Sequence, residues 1–249
     1  MTAIHTQQLC KTYPANPPVL ALDKVDLLIE PGEFVALLGP SGCGKSTLLN
    51  LVAGFEKTSS GTLLVAGKPV EKPGPDRGVV FQEAALFPWL TVWENVIFGP
   101  KTQRLAPAVY EERANEMLRI VGLADFKKHL PVQLSGGMRQ RVGIARILTM
   151  GSQVLLMDEP FGALGAQTRL SMQELLLSVW QQLKPTIVFV THDIDEALFL
   201  ADTVYVMSAR PGRIQARLTV PLPRPRTIED TTGETFNAMK REILKQIRH

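Results

Sequence analysis

Long apolar runs are missing from this chain. The longest uninterrupted ones, such as "FVALLG" and "VLLM", fall far short of the roughly 18 residues that a membrane-spanning helix needs. The opening stretch "MTAIHTQQLCKTYP" lacks a basic start followed by an apolar block, so no secretory signal is expected. Cysteine is scarce. Cys10 and Cys43 have no metal-type spacing, and Cys43 lies in a glycine-rich loop where no disulfide partner is expected, which fits a reducing cytosol. Net charge is low, at +3, and Lys and Arg are scattered rather than clustered, so nothing demands a nucleic-acid partner. There is no internal repeat and no low-complexity segment.

What is present suits a globular protein. Hydrophobic residues make up 45% and charged residues 20% of 249 positions, enough for one large domain or one domain with an inserted lobe. Short apolar runs bounded by turn residues, "LALDKVDLLIE", "EFVALLG", "GTLLVAG" and "RGVVFQ", predict strands in the first third. A helix is predicted after "GKST", with Leu48, Leu49, Leu51 and Val52 on its apolar side. From about residue 86 to 150 the pattern turns helical. Tyr110, Ala114, Met117, Leu118 and Val121 recur at helical spacing, and "SGGMRQRVGIARILTM" reads as a further helix. Strand and helix then alternate: "QVLLMDE", "AQTRLSMQELLLSVWQQL", "TIVFVTH", "DIDEALFLA" and "DTVYVMS". Apolar strands separated by helices predict a parallel sheet covered on both faces. "VPLPRPR" interrupts regular structure, and Phe236, Met239, Ile243 and Ile247 mark a last amphipathic helix.

"GPSGCGKST" fits the phosphate-loop pattern of Gly, four residues, Gly-Lys-Ser, and it follows a strand and opens a helix. In Gly39, Pro40, Ser41, Gly42, Cys43, Gly44, Lys45, Ser46 and Thr47 the glycines let successive N–H groups turn toward phosphate oxygens. The helix start adds its positive dipole end. Lys45 is placed for the β and γ phosphates and the Ser46 hydroxyl for Mg²⁺. "VLLMDE" ends a strand in two acids, at the sheet edge where such a loop also lies. Asp158 is the candidate Mg²⁺ ligand, and Glu159 the candidate base for an attacking water. Hydrolysis, rather than storage, of a nucleotide is expected.

In "LSGGMRQR" a serine and two glycines at a helix start predict a second anion-binding nest, which a single triphosphate would rarely need. The phosphate loop, Gln82 after "GVVF", "LSGGM", "VLLMDEP" and "VTHD" occur in an order that resembles the ATP-binding subunit of an ATP-binding-cassette (ABC) transporter. The likeness covers nearly the whole chain. It implies an α/β fold: a P-loop NTPase core with a mostly parallel sheet, an N-terminal antiparallel β portion and an inserted α-helical lobe. Residues 1–249 are then a single ABC-type ATP-binding domain, with the lobe at roughly 86–150 and no extra regulatory domain. Two subunits are expected to pack head to tail, Ser135, Gly136 and Gly137 of one closing over the ATP of the other.

The same resemblance implies that Tyr13 stacks on adenine, that Gln82 senses Mg²⁺ and the attacking water, and that His192 contacts the γ-phosphate. By the residues alone, the lesser alternatives are Tyr13 and His192 as core side chains and Gln82 as an exposed strand end. A permease is expected to dock near 82–95, where Leu86, Phe87, Pro88, Trp89 and Trp93 form an apolar patch, read either as core or as partly exposed. A substrate-binding protein is implied indirectly. The implied location is the cytoplasmic face of the cell membrane. "PGPDRGVVFQEAALFPWLTVWENVIFG", Met138 and "ARPGRI" with "VPLPRPR" are similar to importers of nitrate, sulfonates and taurine. A soluble cassette without a membrane partner, or a weakly active regulatory cassette, are the alternatives.

One position departs from the family pattern. After the acids the family usually reads Ala-Leu-Asp, and here the chain reads Ala163-Leu164-Gly165. That aspartate is understood to cross the dimer interface, so its loss implies looser coupling between two ATP sites, unless water or a neighbour covers the role. Glycine also frees the backbone to either sign of φ.

Overall fold

The computed structural model describes residues 3–248. They form two compact units, one made of residues 3–74 with 185–248 and the other of Pro75–Lys184.

The first unit begins with β1 (Ile4–Tyr13), β2 (Val19–Ile29), β3 (Phe34–Leu38), helix α1 (Lys45–Ala53), β4 (Ser60–Val65) and β5 (Lys68–Pro69). The second unit holds β6 (Arg77–Val80), α2 (Val92–Thr102), α3 (Pro107–Ile120), α4 (Gly136–Met150), β7 (Val154–Asp158) and α5 (Ala166–Leu183). The chain then returns to the first unit with β8 (Thr186–Thr191), α6 (Ile194–Leu200), β9 (Thr203–Met207), β10 (Ile214–Thr219) and α7 (Glu234–Arg248).

In the first unit β2, β1, β4 and β5 pair in that order as an antiparallel sheet. Beside it β3 pairs in parallel with both β8 and β9, and β10 runs antiparallel along β9. Every residue of β3, β8 and β9 is buried, which is why these runs carry no polar alternation. Helix α1 buries Leu48, Leu49, Leu51 and Val52 as the sequence predicts, and ends at Gly54 with a left-handed φ of 80°. Helix α7 buries Phe236 and Ile243 and packs against α6 and β9.

In the second unit β6 and β7 are parallel, and α2, α3 and α4 pack on one another. A capping box starts α2: Glu94 N–H donates to the Thr91 hydroxyl at 3.2 Å, and Thr91 N–H donates to the Glu94 carboxylate at 2.8 Å. Helix α3 buries Tyr110, Ala114, Met117 and Leu118, with Val121 at its C-terminal cap. The α/β class and the mostly parallel pairing are as expected from the sequence. Strands β1, β5 and β10 are additions to the strands that the sequence predicts.

Candidate nucleotide-hydrolysis site

The phosphate loop leaves β3 at Leu38, a strand buried on both faces, so its start is fixed by the sheet. Gly42 and Gly44 have φ of 76° and 105°, the left-handed values that let the chain curl back on itself. Gly44 is also the N-cap of α1, and no side chain caps that helix. Its first N–H groups therefore suit an anion. Lys45 is buried within the loop, where its ammonium donates to the carbonyls of Gly39 at 2.7 Å and Pro40 at 3.1 Å. Ser46 is exposed at the same helix start, and Thr47 is half-buried.

Neighbouring strands hold this curl from behind. A Cβ on Gly39 would lie 2.8 Å from the Met207 carbonyl oxygen at the end of β9, and one on Gly44 would lie 2.7 Å from the Leu22 side chain of β2. Gly212 approaches closest. A Cβ there would stand 2.1 Å from the Cys43 carbonyl oxygen. Gly212 is pinned to β2 by its N–H on the Ala21 carbonyl at 2.9 Å and by its own carbonyl, which accepts from Asp23 N–H at 3.0 Å. No local pattern in the sequence marks Gly212, because its close approach is to a residue far away in the chain.

His192 follows β8, and Leu38 of β3 pairs in register with Thr191. The phosphate loop and His192 thus leave the carboxyl ends of two adjacent parallel strands. His192 is exposed, which overturns the reading of it as a core histidine. Tyr13, at the end of β1, is half-buried, and the Lys11 ammonium sits 4.8 Å from its ring centroid. It too is not a core aromatic.

In the second unit, Val80 of β6 pairs with Met157 of β7, so Gln82 and Glu159 each stand two residues beyond that pair. Asp158 ends β7. Glu159 has φ of 44°, a left-handed value in a residue with a side chain, and such strain costs of order 1–3 kcal/mol. The turn is closed by Gly162 N–H on the Glu159 carbonyl at 3.0 Å. The Gln82 amide lies over this turn, with its Nε2 3.2 Å from where a Cβ on Gly162 would be. Gln82 and the acid turn are therefore neighbours.

Ser135 caps α4, its hydroxyl accepting from Met138 N–H at 3.3 Å. Gly136 and Gly137 are the first residues of that helix and carry no positive φ. The serine and two glycines thus stand at a helix start, as the sequence predicts. Gly137 is small because the Thr168 methyl of α5 would lie 2.7 Å from its Cβ. Gln82, Ala85, Leu86, Val132, Arg139 and Leu164 line a groove of ≈ 630 Å³ beside this helix start. Of the apolar patch next to it, Trp89 is 72% exposed while Leu86, Phe87 and Trp93 are half-buried, so the patch is partly exposed. Its loop is anchored from α4. Gln140 Nε2 donates to the Phe81 carbonyl at 2.9 Å, and Arg146 Nη1 to the Ala85 carbonyl at 3.0 Å. Burial lowers the pKa of the Arg146 guanidinium.

Gly165 is the N-cap of α5, with φ of −64° and ψ of 156°. The conformational freedom of glycine is not used there, since any residue adopts those angles. A Cβ would meet nothing within 4 Å.

A phosphate loop at the end of one parallel strand and an acid pair at the end of another place the chain among the P-loop NTPases. The chain belongs to the ABC transporter family, whose model matches residues 22–162. It is 50% identical over 224 residues to the nitrate import ATP-binding protein NrtD of Synechocystis sp., covering 90% of this chain and 83% of that protein. It is 43% identical over 231 residues to an aliphatic sulfonates import ATP-binding protein, SsuB, of Bacillus cereus, covering 93% and 90%. Among solved structures, cbiO1 of Clostridium perfringens, part of the ABC transporter complex cbiONQ, superposes with a TM-score of 0.80 at 29% identity, covering 96% of this chain and 94% of that one. The cassette MJ0796, solved as a dimer bound to ADP and Pi, superposes at 0.75 with 31% identity, covering 88% and 100%. The chain binds and hydrolyses ATP as the ATP-binding subunit of such a transporter. Among the described residues no helix is long and apolar enough to cross a membrane.

Proposed function

We propose that this chain powers the import of small oxyanions of the nitrate and sulfonate kind through a transmembrane permease. The observation that carries the ATP chemistry is the register of β3 with β8, which sets the phosphate loop beside His192. Kinship to the nitrate and sulfonate import subunits supports the substrate class.

Residues 1–249 act as a single cassette with its helical lobe at roughly 86–150. Tyr13 stacks on adenine. Residues 39–47 wrap the phosphates with backbone N–H groups, and the Lys45 ammonium offsets the charge on the β and γ phosphates. The exposed Ser46 hydroxyl, the Asp158 carboxylate and the Gln82 amide are oxygen donors of the kind Mg²⁺ takes, together with phosphate oxygens. Mg²⁺, when bound there, would supply positive charge to offset that of the phosphates. Gln82 orients the attacking water and Glu159 takes its proton as the oxygen bonds to the γ-phosphorus. The bond to the bridging oxygen breaks, and its electron pair leaves with ADP. His192 donates to the γ-phosphate while this charge moves.

A second copy packs head to tail, and Ser135, Gly136 and Gly137 of each close on the ATP of the other. MgATP thereby shifts the pair from open to closed. The permease docks near 82–95 at the exposed Trp89, at the cytoplasmic face of the membrane, and receives its cargo from a substrate-binding protein. The test is uptake of labelled nitrate and of an alkanesulfonate into proteoliposomes holding the chain and its permease. ATP-dependent uptake that Glu159→Gln abolishes supports the reading. ATP turnover without uptake of either anion contradicts the substrate class.

A further inference from the structure

A buried carboxylate stands behind His192. Glu196 lies on α6, four residues beyond the histidine, and is only 7% exposed. Its Oε2 accepts the Thr191 hydroxyl at 2.5 Å. The Thr191 hydroxyl oxygen accepts Asp193 N–H at 3.0 Å. The Asp193 carboxylate in turn accepts Asp195 N–H at 2.9 Å and Glu196 N–H at 3.1 Å, capping the helix. Three bonds thus close a ring through Thr191, Asp193 and Glu196, and His192 is the residue inside it.

Burying a carboxylate is costly unless its bonds are made, and an apolar residue would serve packing better at this position. The carboxylate is supported from a fixed base. Helix α6 has seven residues, too few to be stable alone, and is held at both ends. Lys240 of α7 pairs with Asp195 at 2.7 Å near its start. Buried Arg226 donates to the carbonyls of Leu198 at 2.9 Å, Phe199 at 3.2 Å and Ala201 at 2.7 Å at its end.

We propose that Glu196 is a positioning residue for His192, acting through the Thr191 hydroxyl and the Asp193 N–H. The residues on either side of the histidine are tied to one rigid acid, so the imidazole is aimed by the ring while its own side chain stays exposed. This inference rests on the reading of His192 as the γ-phosphate contact.

The experiment is steady-state MgATP hydrolysis by the full chain, with kcat and KM resolved, for native protein, Glu196→Ala, Glu196→Gln, His192→Ala and the Glu196→Ala/His192→Ala double variant. Glu196→Ala is expected to lower kcat about tenfold or more while KM for ATP stays within about threefold. Glu196→Gln, whose amide oxygen still accepts the hydroxyl, is expected to keep most of the native kcat. On the His192→Ala background Glu196→Ala is expected to cost nothing further. If Glu196→Ala slows the His192→Ala protein by the same factor as native protein, the acid is merely structural and the proposal is overturned. An unchanged kcat in Glu196→Ala overturns it as well. If His192→Ala alone leaves turnover intact, the fault lies in the reading of His192, and that single variant reveals it. Should Glu196→Ala fail to fold, Thr191→Val removes the same hydroxyl from a nearly isosteric side chain, with Thr191→Ser as the expected rescue. A native kcat in Thr191→Val overturns the proposal.

Discussion

The side-chain amide of Gln140 donates to the carbonyl of Phe81 at 2.9 Å, tying the helix that starts at Gly136 to the residue before Gln82. Gln140 is only 3% exposed, while Phe81 is exposed, so the bond joins the buried face of the helix to a surface loop. Gln140→Leu leaves that carbonyl unsatisfied and is expected to cost about 1–3 kcal/mol. The melting temperature should fall by about 2–10 °C, and limited proteolysis should cleave the 82–89 loop faster than in native protein. Unchanged cleavage would show that the loop is anchored elsewhere.

Gly212→Ala probes the backing of the phosphate loop. Its methyl would meet the Cys43 carbonyl oxygen at 2.1 Å, so the loop or the turn bearing Gly212 must move. Displacement of the loop by a few tenths of an ångström or more is expected to weaken ATP binding about tenfold. Equilibrium binding of a fluorescent ATP analogue checks this, and native affinity in a folded Gly212→Ala would refute it.

Arg226 carries a buried charge that closes the end of α6. Burial pushes its guanidinium down to about 10, still charged at neutral pH, and its Nη2 also donates to the Leu222 carbonyl at 3.3 Å. Arg226→Met leaves the last carbonyls of α6 without their donor and is expected to cost about 2–4 kcal/mol. Thermal or urea unfolding reads this directly. Arg226→Lys, with one ammonium in place of the fork, should recover only part of the loss.

At Gly165 the sequence and the structure together change the question. The angles are ordinary and the space is open, so glycine is not needed for the fold at this position. Gly165→Asp is expected to add an N-cap to α5 and raise stability by a few tenths of a kcal/mol. If the looser-coupling reading holds, the same change also makes turnover depend more steeply on ATP concentration. A stability gain with identical ATP dependence would mark Gly165 as neutral for coupling.

Much of this was legible beforehand where one periodicity ran unbroken. Helix α5 matches its predicted stretch end to end, because Met172, Leu176, Val179 and Trp180 repeat on one buried face. Strand β1 was not foreseen. Gln7 and Gln8 interrupt its apolar residues, and the pairing with β2 shifts register between Thr6 and Leu9, with Gln8 at φ of 48°. Strand β10 alternates half-buried and exposed residues through "IQARLT", a pattern too weakly apolar to stand out. The phosphate loop and acid pair were readable because their spacing is itself the chemistry. Gly212, Gln140 and Glu196 were not, since each acts through a partner that only the folded chain supplies. A charge within the otherwise apolar "EALFL" was the one available hint for Glu196.

We propose that Glu159 is the base with which this chain hydrolyses ATP. The most direct test is MgATP turnover of the purified chain, native protein beside Glu159→Gln, with bound ATP measured in both. Native turnover about a hundredfold or more above that of Glu159→Gln, with ATP bound equally by each, is the predicted result. Equal turnover in the two proteins would contradict it.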